Sequence, residues 1–453
     1  MRPILYRAMC RRRLWSALVP VQLLLLASSA AAIEDPAENV RVETLDNGLV
    51  LLMLEDHTTP VVSFQMWVKV GSRDESAYTG LAHLFEHMMF KGSENLEPEA
   101  HAQLVNARGG SLNAFTSRDF TVYFEDVTAE SLPLVVDLEF ERLANLTIDD
   151  ETLDSERQVV LEERRMRTED QPMGRAYEAL LATVWQAHPY RWPVIGWRSD
   201  VEKATVEVCR RFFDTYYAPN NLVVAIVGAF DANETLDHIR RTLGTLEPAP
   251  EIPRNPTEEP EQTGERRAVV HLDVRGPILA AGWHAPATGH PDGSALDVLS
   301  QVLSGGRSSR LYRSLVYEAQ QALAADGGYW ELSDAGVFLA IASVRPDASI
   351  ERVEELFFAE IDRLKREPVT DAELEKAKRQ IEVDLVNGQA TNHAVAQRIA
   401  RDHATFGRIR PLPELLEQIQ AVSVEDVQRV AQTYLRPEQR SVIHVVPPPE
   451  AEE

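Results

Sequence analysis

Hydrophobic residues alternate with polar residues in some stretches of the chain and recur at helical spacing in others. The alternating stretches predict a hairpin at residues 39–55 that turns at Asp46-Asn47-Gly48, a strand at residues 61–70 and a strand pair at residues 110–126. The helical spacing predicts helices at residues 80–90, 98–108, 132–144, 150–168, 175–187, 294–304, 309–318, 350–365, 371–387 and 424–434. Strands that alternate with long helices in this way are typical of domains in which helices pack on a sheet.

The two halves of the chain resemble each other. Residues 204–216 align without gaps on residues 422–434, and the identical pairs are Val206/Val424, Glu207/Glu425, Arg211/Arg429, Thr215/Thr433 and Tyr216/Tyr434. The match continues through Pro219 and Pro437 into an apolar strand. We therefore predict an α+β fold made of two homologous α/β sandwich domains, each an antiparallel-rich sheet with helices packed on it.

A proline-rich acidic stretch separates the halves. Residues 247–267 contain five prolines and show no hydrophobic periodicity, which is typical of a semi-rigid, solvated linker. This stretch divides the chain into an N-terminal domain at residues 38–246 and a C-terminal domain at residues 268–447. We expect residues 448–453 to be a disordered tail.

The first 32 residues have the pattern of a secretory signal. A cationic start precedes an apolar stretch that contains Leu23-Leu24-Leu25-Leu26, and Ala30-Ala31-Ala32 supplies small residues for cleavage. An uncleaved anchor is the alternative, but the apolar run is short for a membrane span and contains Pro20. We therefore expect a secreted, periplasmic protein.

Charge and cysteine content limit the possible partners and bonds. The chain has 46 Lys and Arg residues against 71 Asp and Glu residues, a formal net charge of −25, without a long basic run. This balance argues against general nucleic-acid binding and against an anionic membrane surface. Cys10 lies in the predicted signal, so the mature chain keeps Cys209 alone, which we interpret as a packed structural thiol.

His83-Leu84-Phe85-Glu86-His87 is the stretch most informative about chemistry. On a helix, residues four apart lie about 40° apart around the axis, so His83 and His87 can share one metal ion with Glu86 on the same side. This is the inverted zinc-peptidase order. Further along the chain, Glu156 and Glu163 lie seven residues apart on one face of a predicted helix, and Glu163 follows His87 by 76 residues.

With these residues the chain resembles the pitrilysin family of inverzincin zinc metallopeptidases, in the form of a short, secreted, two-domain subunit similar to processing peptidases. The resemblance covers nearly the whole mature chain and includes the stretches Gly109-Gly110-Ser111-Leu112-Asn113-Ala114-Phe115-Thr116 and Gly305-Gly306-Arg307-Ser308-Ser309-Arg310-Leu311-Tyr312. It implies one zinc per chain, and it implies these roles: ligands His83, His87 and Glu163, general base Glu86, a carboxylate beside a ligand histidine at Glu156, and a substrate-pairing edge strand with Asn113 and Ala114. It also implies that the chain forms half of a clamshell chamber.

These roles predict a zinc-dependent endopeptidase that hydrolyses unfolded or short peptides, with Glu86 accepting the proton of the attacking water. Two alternatives stay open for single residues: Glu156 as a solvated helix charge and Asn113 as a structural strand residue. We interpret the arginines after Glu163 (Arg164, Arg165 and Arg167) as a solvated face. For the whole chain, the alternatives are a secreted non-catalytic interaction subunit and a metalloenzyme that hydrolyses an ester.

The second half departs from the family pattern. The aligned helix has Asp297, Ser300 and Gln301 where the first half has His83, Glu86 and His87, so we expect that helix to lack a zinc site. Single-site members of the family have an Arg and a Tyr, seven apart, which contact the substrate carbonyl in this half. Those positions are occupied here by Val316 and Leu323, unless a shifted alignment places Arg313 or Tyr317 there. We therefore expect a homologous zinc-free subunit to supply the Arg and Tyr in a heterodimer, with a homodimer as the alternative.

Overall fold

The computed structural model describes residues 35–449, so the predicted signal segment and the end of the predicted tail lie outside the described residues. The elements of the first half are β1 (Arg41–Thr44), β2 (Val50–Glu55), β3 (Val61–Val68), α1 (Leu81–Met88), α2 (Ala100–Asn106), β4 (Ser111–Thr116), β5 (Thr121–Thr128), α3 (Leu132–Ala144), α4 (Asp150–Arg164), α5 (Pro172–Val184), α6 (Arg198–Lys203), α7 (Val206–Tyr216), β6 (Leu222–Gly228) and α8 (Ala232–Arg241). The elements of the second half are β7 (Arg266–His271), β8 (Ile278–Ala285), α9 (Gly293–Ser304), β9 (Ala322–Trp330), β10 (Gly336–Val344), α10 (Ile350–Arg366), α11 (Asp371–Asn387), α12 (Asn392–Phe406), α13 (Leu412–Ala421), α14 (Val424–Tyr434) and β11 (Arg440–Val446).

The strands form two sheets of the same topology. The first sheet has the order β1-β2-β6-β3-β5-β4 and the second has the order β7-β11-β8-β10-β9. Apart from β1, each position in one sheet has its counterpart in the other. Each sheet also has one matching parallel pair, β2 with β6 and β7 with β11, while the other neighbours are antiparallel. The predicted α+β fold with two homologous, antiparallel-rich domains is therefore confirmed.

Each sheet is covered on one face by helices of its own half and on the other face by a helix from the opposite half. Alternate residues of β6, all of them buried, contact different cores: Val224 packs with α1 and α7, whereas Val223 packs with α12 of the second half. In return, α5 of the first half packs against β8 and β11 through Leu180 and Val184. The two halves thus exchange a helix, and each needs the other to bury both faces of its sheet.

The proline-rich segment between the halves is irregular in structure and anchored at several points. Asn220 exchanges hydrogen bonds with the backbone of Ala249, and the Glu259 carboxylate accepts hydrogen bonds from the backbone N–H groups that follow α5. Gln262 donates to the carbonyl of Arg440 at the start of β11. Since these contacts involve both halves, the segment is fixed along the surface of both domains.

Two smaller findings concern Cys209 and membrane association. The thiol of Cys209 is fully buried on α7, and burial raises its pKa to about 11, so it is a packing group rather than a nucleophile. Within residues 35–449, no helix combines the length and the apolar character that crossing a membrane requires.

Candidate active site

Helix α1 carries the His-x-x-Glu-His stretch, and its first turn is held by a buried carboxylate. The carboxylate of Glu75 accepts hydrogen bonds from the backbone N–H groups of Gly80 and Ala82, both at 2.8 Å. These N–H groups belong to the free donors at a helix start, so Glu75 fixes where α1 begins. Gly80 has a φ of 88°, and a Cβ there would lie 2.7 Å from the carbonyl oxygen of Ile195. A glycine is therefore required at this close approach.

Helix α1 packs its apolar face into the core, and its polar residues therefore face α4. Leu84, Phe85 and Met88 are buried in the core of the first domain, and Phe85 stacks on Phe212 and Phe213 of α7. With this face fixed, the histidines and glutamate of α1 point to the opposite side, where α4 passes.

Helix α4 supplies the two glutamates of the Glu-x6-Glu spacing. The Asp149 side chain caps its start by accepting a hydrogen bond from the Thr152 N–H. Two turns separate Glu156 from Glu163, and both contact the histidines of α1. Glu156 is only 1% exposed, so it is not the solvated helix charge of the alternative interpretation.

The side chains of His83, His87 and Glu163 bring three possible ligand atoms within 4.8 Å of one another. The Glu163 Oε2 atom lies 3.6 Å from Nε2 of His83 and 3.3 Å from Nε2 of His87. Ligand atoms bound to zinc at about 2.0–2.1 Å with tetrahedral angles are about 3.3–3.4 Å apart. Two imidazoles and one carboxylate also leave a fourth position open, as catalytic zinc sites do. The residues present therefore fit a zinc ion.

Glu156 orients one of these histidines. Its Oε2 atom lies 3.4 Å from Nδ1 of His87, while its Oε1 atom lies 3.2 Å from Nζ of Lys91. A proton on Nδ1 that is shared with Glu156 leaves the Nε2 lone pair free for a metal. The sequence pattern did not single out Lys91, although it follows His87 by one helical turn.

Burial and the local charges shift the pKa values of the site in different directions. Burial lowers the pKa of His83 and favours its neutral, metal-binding form. Burial also opposes a charged His87, but in the metal-free chain hydrogen bonds to Glu156 and Glu163 outweigh it and raise its pKa to about 9, so a metal must displace the Nε2 proton. The hydrogen bond with His87 lowers the pKa of Glu163. The Arg167 guanidinium, 2.6 Å from a carboxylate oxygen of Glu163, lowers this pKa further. Glu156 and Glu163 are therefore carboxylates at neutral pH.

Glu86 lies on the same side of α1, beside the end of strand β4. The hydroxyl of Thr116 donates a hydrogen bond to Oε2 of Glu86 at 2.7 Å. Burial raises the pKa of Glu86, and the Thr116 hydrogen bond partly opposes that rise. One oxygen of Glu86 is thus held by Thr116, which leaves the other oxygen to accept a proton.

Thr116→Val should lower kcat about 10-fold and change KM less than about twofold, because it removes one hydrogen bond to a charged group without changing the size of the side chain. Zinc content should stay the same, and Thr116→Ser should restore most of the activity. Steady-state kinetics with metal analysis measure these effects. Parental kcat in Thr116→Val would show that Thr116 does not position Glu86.

An open groove of about 790 Å³ runs between α4 and the edge strand β4 at this site. The site residues suggested by the sequence that line this groove are His83, Glu86, His87, Asn113, Ala114 and Glu163. Glu156 does not line the groove, because it lies behind His87 and contacts that ring. Strand β4 pairs with β5 on one side only. The Asn113 side chain accepts a hydrogen bond from the backbone N–H of Ala114.

The arginines after Glu163 differ from one another in environment. Arg164 is buried and donates to the Gly196 carbonyl at 2.8 Å and to Glu178 at 2.7 Å, so the prediction of a solvated face is wrong for this residue. Arg165 is exposed and pairs with Glu162. Arg167 is exposed as well, but its guanidinium reaches Glu163. The spacing of four residues between Glu163 and Arg167 could have indicated this contact.

The groove is lined by residues of the first half, and Val316 and Leu323 are not among them. Val316 packs against the core of the second domain, whereas Leu323 is exposed on the edge strand β9. The two residues considered in their place are also on the surface: Arg313 pairs with Glu318, and Tyr317 is 74% exposed. Helix α9 carries Asp297, Ser300 and Gln301 at the positions where α1 has its motif.

A second group of possible ligands, His101, Glu125 and Glu139, lies deep in the first domain. The Arg142 guanidinium lies between the two carboxylates. It forms an ion pair with Glu139 and lies 3.6 Å from Glu125. Burial raises the pKa of Glu139 to about 8 and lowers that of His101 to about 3. The group is therefore a buried structural ion-pair network centred on Arg142.

Comparisons of sequence and fold relate the chain to known proteins. The sequence profile of insulinase, peptidase family M16, matches residues 50–197, and that of the peptidase M16 inactive domain matches residues 203–381. The zinc protease PqqE of Helicobacter pylori is 34% identical over 409 residues, which are 89% of this chain and 92% of that protein. A crystal structure of a protease from Helicobacter pylori has a TM-score of 0.87 at 33% identity and covers 90% of this chain and 99% of that one. The peptidase M16 inactive domain from Pseudomonas fluorescens shares the fold, with a TM-score of 0.83 at 18% identity over 92% of this chain and 100% of that one. The chain therefore belongs to peptidase family M16, the family of pitrilysin-like metallopeptidases that its motifs resemble.

Proposed function

We propose that the chain is a zinc-dependent endopeptidase that hydrolyses unfolded or short peptides. The observation that carries the proposal is the convergence of His83, His87 and Glu163 at zinc-ligand spacing, with Glu86 beside them in an open groove. Membership of a family with relatives named zinc proteases supports the same class of reaction.

Each residue of the site has a separate role in the proposed reaction. Zinc held by His83, His87 and Glu163 would supply Lewis acidity for the hydrolysis of a peptide bond. Glu86 accepts the proton of the attacking water on the oxygen that Thr116 leaves free, and then passes it to the leaving amine. Glu156 and Lys91 hold the ring of His87 in the orientation that directs Nε2 into the site.

The proposed substrate form follows from strand β4. An edge strand beside the reacting groups offers backbone N–H and C=O groups to an extended peptide, which would add to the sheet past Asn113 and Ala114. The Asn113 side chain, which now bonds to the Ala114 N–H, would turn toward the added strand. Assays with a quenched peptide library, and with one protein in its folded and unfolded forms, test this proposal. Equal cleavage of a rigid folded protein and its unfolded form would contradict it.

The proposal includes a partner. Since Val316 and Leu323 offer no side-chain donors for the developing oxyanion, a homologous secreted subunit without the His-x-x-Glu-His stretch would supply an Arg and a Tyr in a heterodimer, and a homodimer is the alternative. We propose a periplasmic location for this assembly, and the signal-like pattern of the first 32 residues supports it.

The purified chain alone should therefore be a weak peptidase. One missing oxyanion donor typically costs about 10²- to 10³-fold in rate, so co-purification with the partner should raise kcat by at least about 100-fold. Mutating the Arg and Tyr of the partner should remove the gain without dissociating the complex, as light scattering can verify. Full turnover by the chain alone, with no increase on adding the partner, would contradict the heterodimer.

A further inference from the structure

A smaller cavity of about 310 Å³ adjoins the proposed zinc site on the side of His83 and Glu163. The residues that line it include three arginines, Arg118, Arg167 and Arg191, and the apolar residues Leu181 and Ile195. A substrate residue next to the scissile bond could reach into such a space. The charges around the cavity therefore bear on what it can bind.

Arg118 lies in the tight turn between β4 and β5, and its backbone is fixed from both sides. The Ser117 hydroxyl accepts hydrogen bonds from the N–H groups of Asp119 and Phe120, at 3.2 and 3.0 Å. The carbonyl of Arg118 accepts a hydrogen bond from the Arg73 N–H at 3.0 Å. The turn thus presents Arg118 at a fixed place, two residues after Thr116, which holds Glu86.

The Arg118 guanidinium has no acceptor within residues 35–449. It forms neither a hydrogen bond nor an ion pair there, and its Nε atom is fully buried without a partner. The adjacent Asp119 is engaged elsewhere, with Arg73 at 3.0 Å and with the Ser333 N–H at 3.1 Å. The Trp330 ring, 6.0 Å from Cζ, gives the cation only a weak contact. Burial accordingly lowers the pKa of Arg118.

The carboxylates that line the cavity do not supply the missing partner. Glu163 is held by Arg167 and by the histidines, and Glu178 is held by Arg164 at 2.7 Å and by Arg175 at 2.6 Å. Arg191 already donates to the carbonyl of Gln186 at 2.8 Å. In a chain with a net charge of −25, an arginine left unpaired and partly buried beside the reacting groups is an available anion site.

We propose that Arg118 forms a substrate subsite for a carboxylate, supplied by an acidic side chain near the cleaved bond or by the C-terminus of a short peptide. A carboxylate would provide the acceptor that the guanidinium lacks, and a charged hydrogen bond at a partly buried arginine is stronger than one in open solvent. The walls formed by Leu181 and Ile195 would contact the methylene groups of a glutamate. The subsite rests on the proposed peptidase function and deepens it by naming a preferred substrate class.

The test compares matched peptides on the zinc-loaded full-length mature chain. One pair differs by Glu or Gln at each position around the cleaved bond, and a second pair differs by a free or amidated C-terminus. The parent should favour the carboxylate member of one pair by about 10-fold or more in kcat/KM, mainly through KM, because a hydrogen bond to a charged group contributes about that much to binding. The pair that shows the preference identifies the source of the carboxylate.

Variants then assign the preference to one side chain. Arg118→Gln should abolish the preference, measured as the ratio of kcat/KM for the carboxylate peptide to kcat/KM for the neutral peptide, and Arg118→Lys should retain part of it. Arg191→Gln removes the same charge from the same wall and should leave the preference largely intact. Equal losses in Arg118→Gln and Arg191→Gln would indicate a general field effect and overturn the subsite. A parent without preference, or a preference that persists in Arg118→Gln, would overturn it as well.

A binding measurement separates this proposal from the peptidase proposal. The same peptide pairs are titrated into zinc-loaded Glu86→Gln by fluorescence anisotropy, which needs no turnover. Tighter binding of the carboxylate peptide that is lost in Glu86→Gln/Arg118→Gln supports the subsite even if no peptide is hydrolysed. Equal binding of both peptides contradicts the subsite even if the parent hydrolyses both.

Discussion

Glu86→Gln is expected to keep its fold and about one zinc per chain while losing peptide hydrolysis by at least about 100-fold. Glutamine has nearly the same shape and can still bond to Thr116, but it cannot accept a proton from water. The loss should therefore appear in kcat, with KM little changed. Kinetics on a quenched peptide, with zinc measured on the same samples, give this result directly.

The matched control is Glu130→Gln, the same change at an exposed glutamate that precedes α3 and lies outside the groove. It should keep parental turnover and parental zinc. If Glu86→Gln turned over peptides as fast as this control at equal metal content, Glu86 would not be the general base.

His87→Ala is expected to reduce bound zinc from about one per chain to less than about one-tenth, and to abolish hydrolysis with it. The substitution removes one of three ligands and also leaves the buried Glu156 carboxylate without its imidazole partner. Elemental analysis after dialysis against a weak chelator measures the loss.

His57→Ala serves as its control, because His57 is exposed in the turn between β2 and β3. It should retain zinc and activity. Full zinc occupancy in His87→Ala would show that the metal binds elsewhere in the chain.

Much of the site could be predicted because its key spacings are local. His83 and His87 share one face of their helix wherever that helix lies in the fold, and the same holds for Glu156 and Glu163 on theirs. The sequence alone therefore defines two pairs of side chains with fixed relative positions. The family resemblance then supplied the information that the two pairs meet. The structure confirms the fold and brings the pairs together at 3.3–3.6 Å.

Residues that act through tertiary contacts could not be predicted in this way. Thr116 reaches Glu86 from a strand 30 residues away, and no periodicity links the two. The unpaired state of Arg118 depends on Asp119 being engaged by Arg73 and Ser333, which only the folded chain shows. Likewise, the pattern of α5 indicates a buried face, but not that this face packs on the sheet of the opposite half.

We propose that zinc held by His83, His87 and Glu163 works with Glu86 to hydrolyse peptides. The most direct measurement determines zinc content and peptide turnover side by side for the parent, Glu86→Gln and His87→Ala, each prepared with the same partner subunit. We expect zinc with turnover in the parent, zinc without turnover in Glu86→Gln, and neither zinc nor turnover in His87→Ala. Turnover in zinc-free His87→Ala, or in zinc-loaded Glu86→Gln, would contradict it.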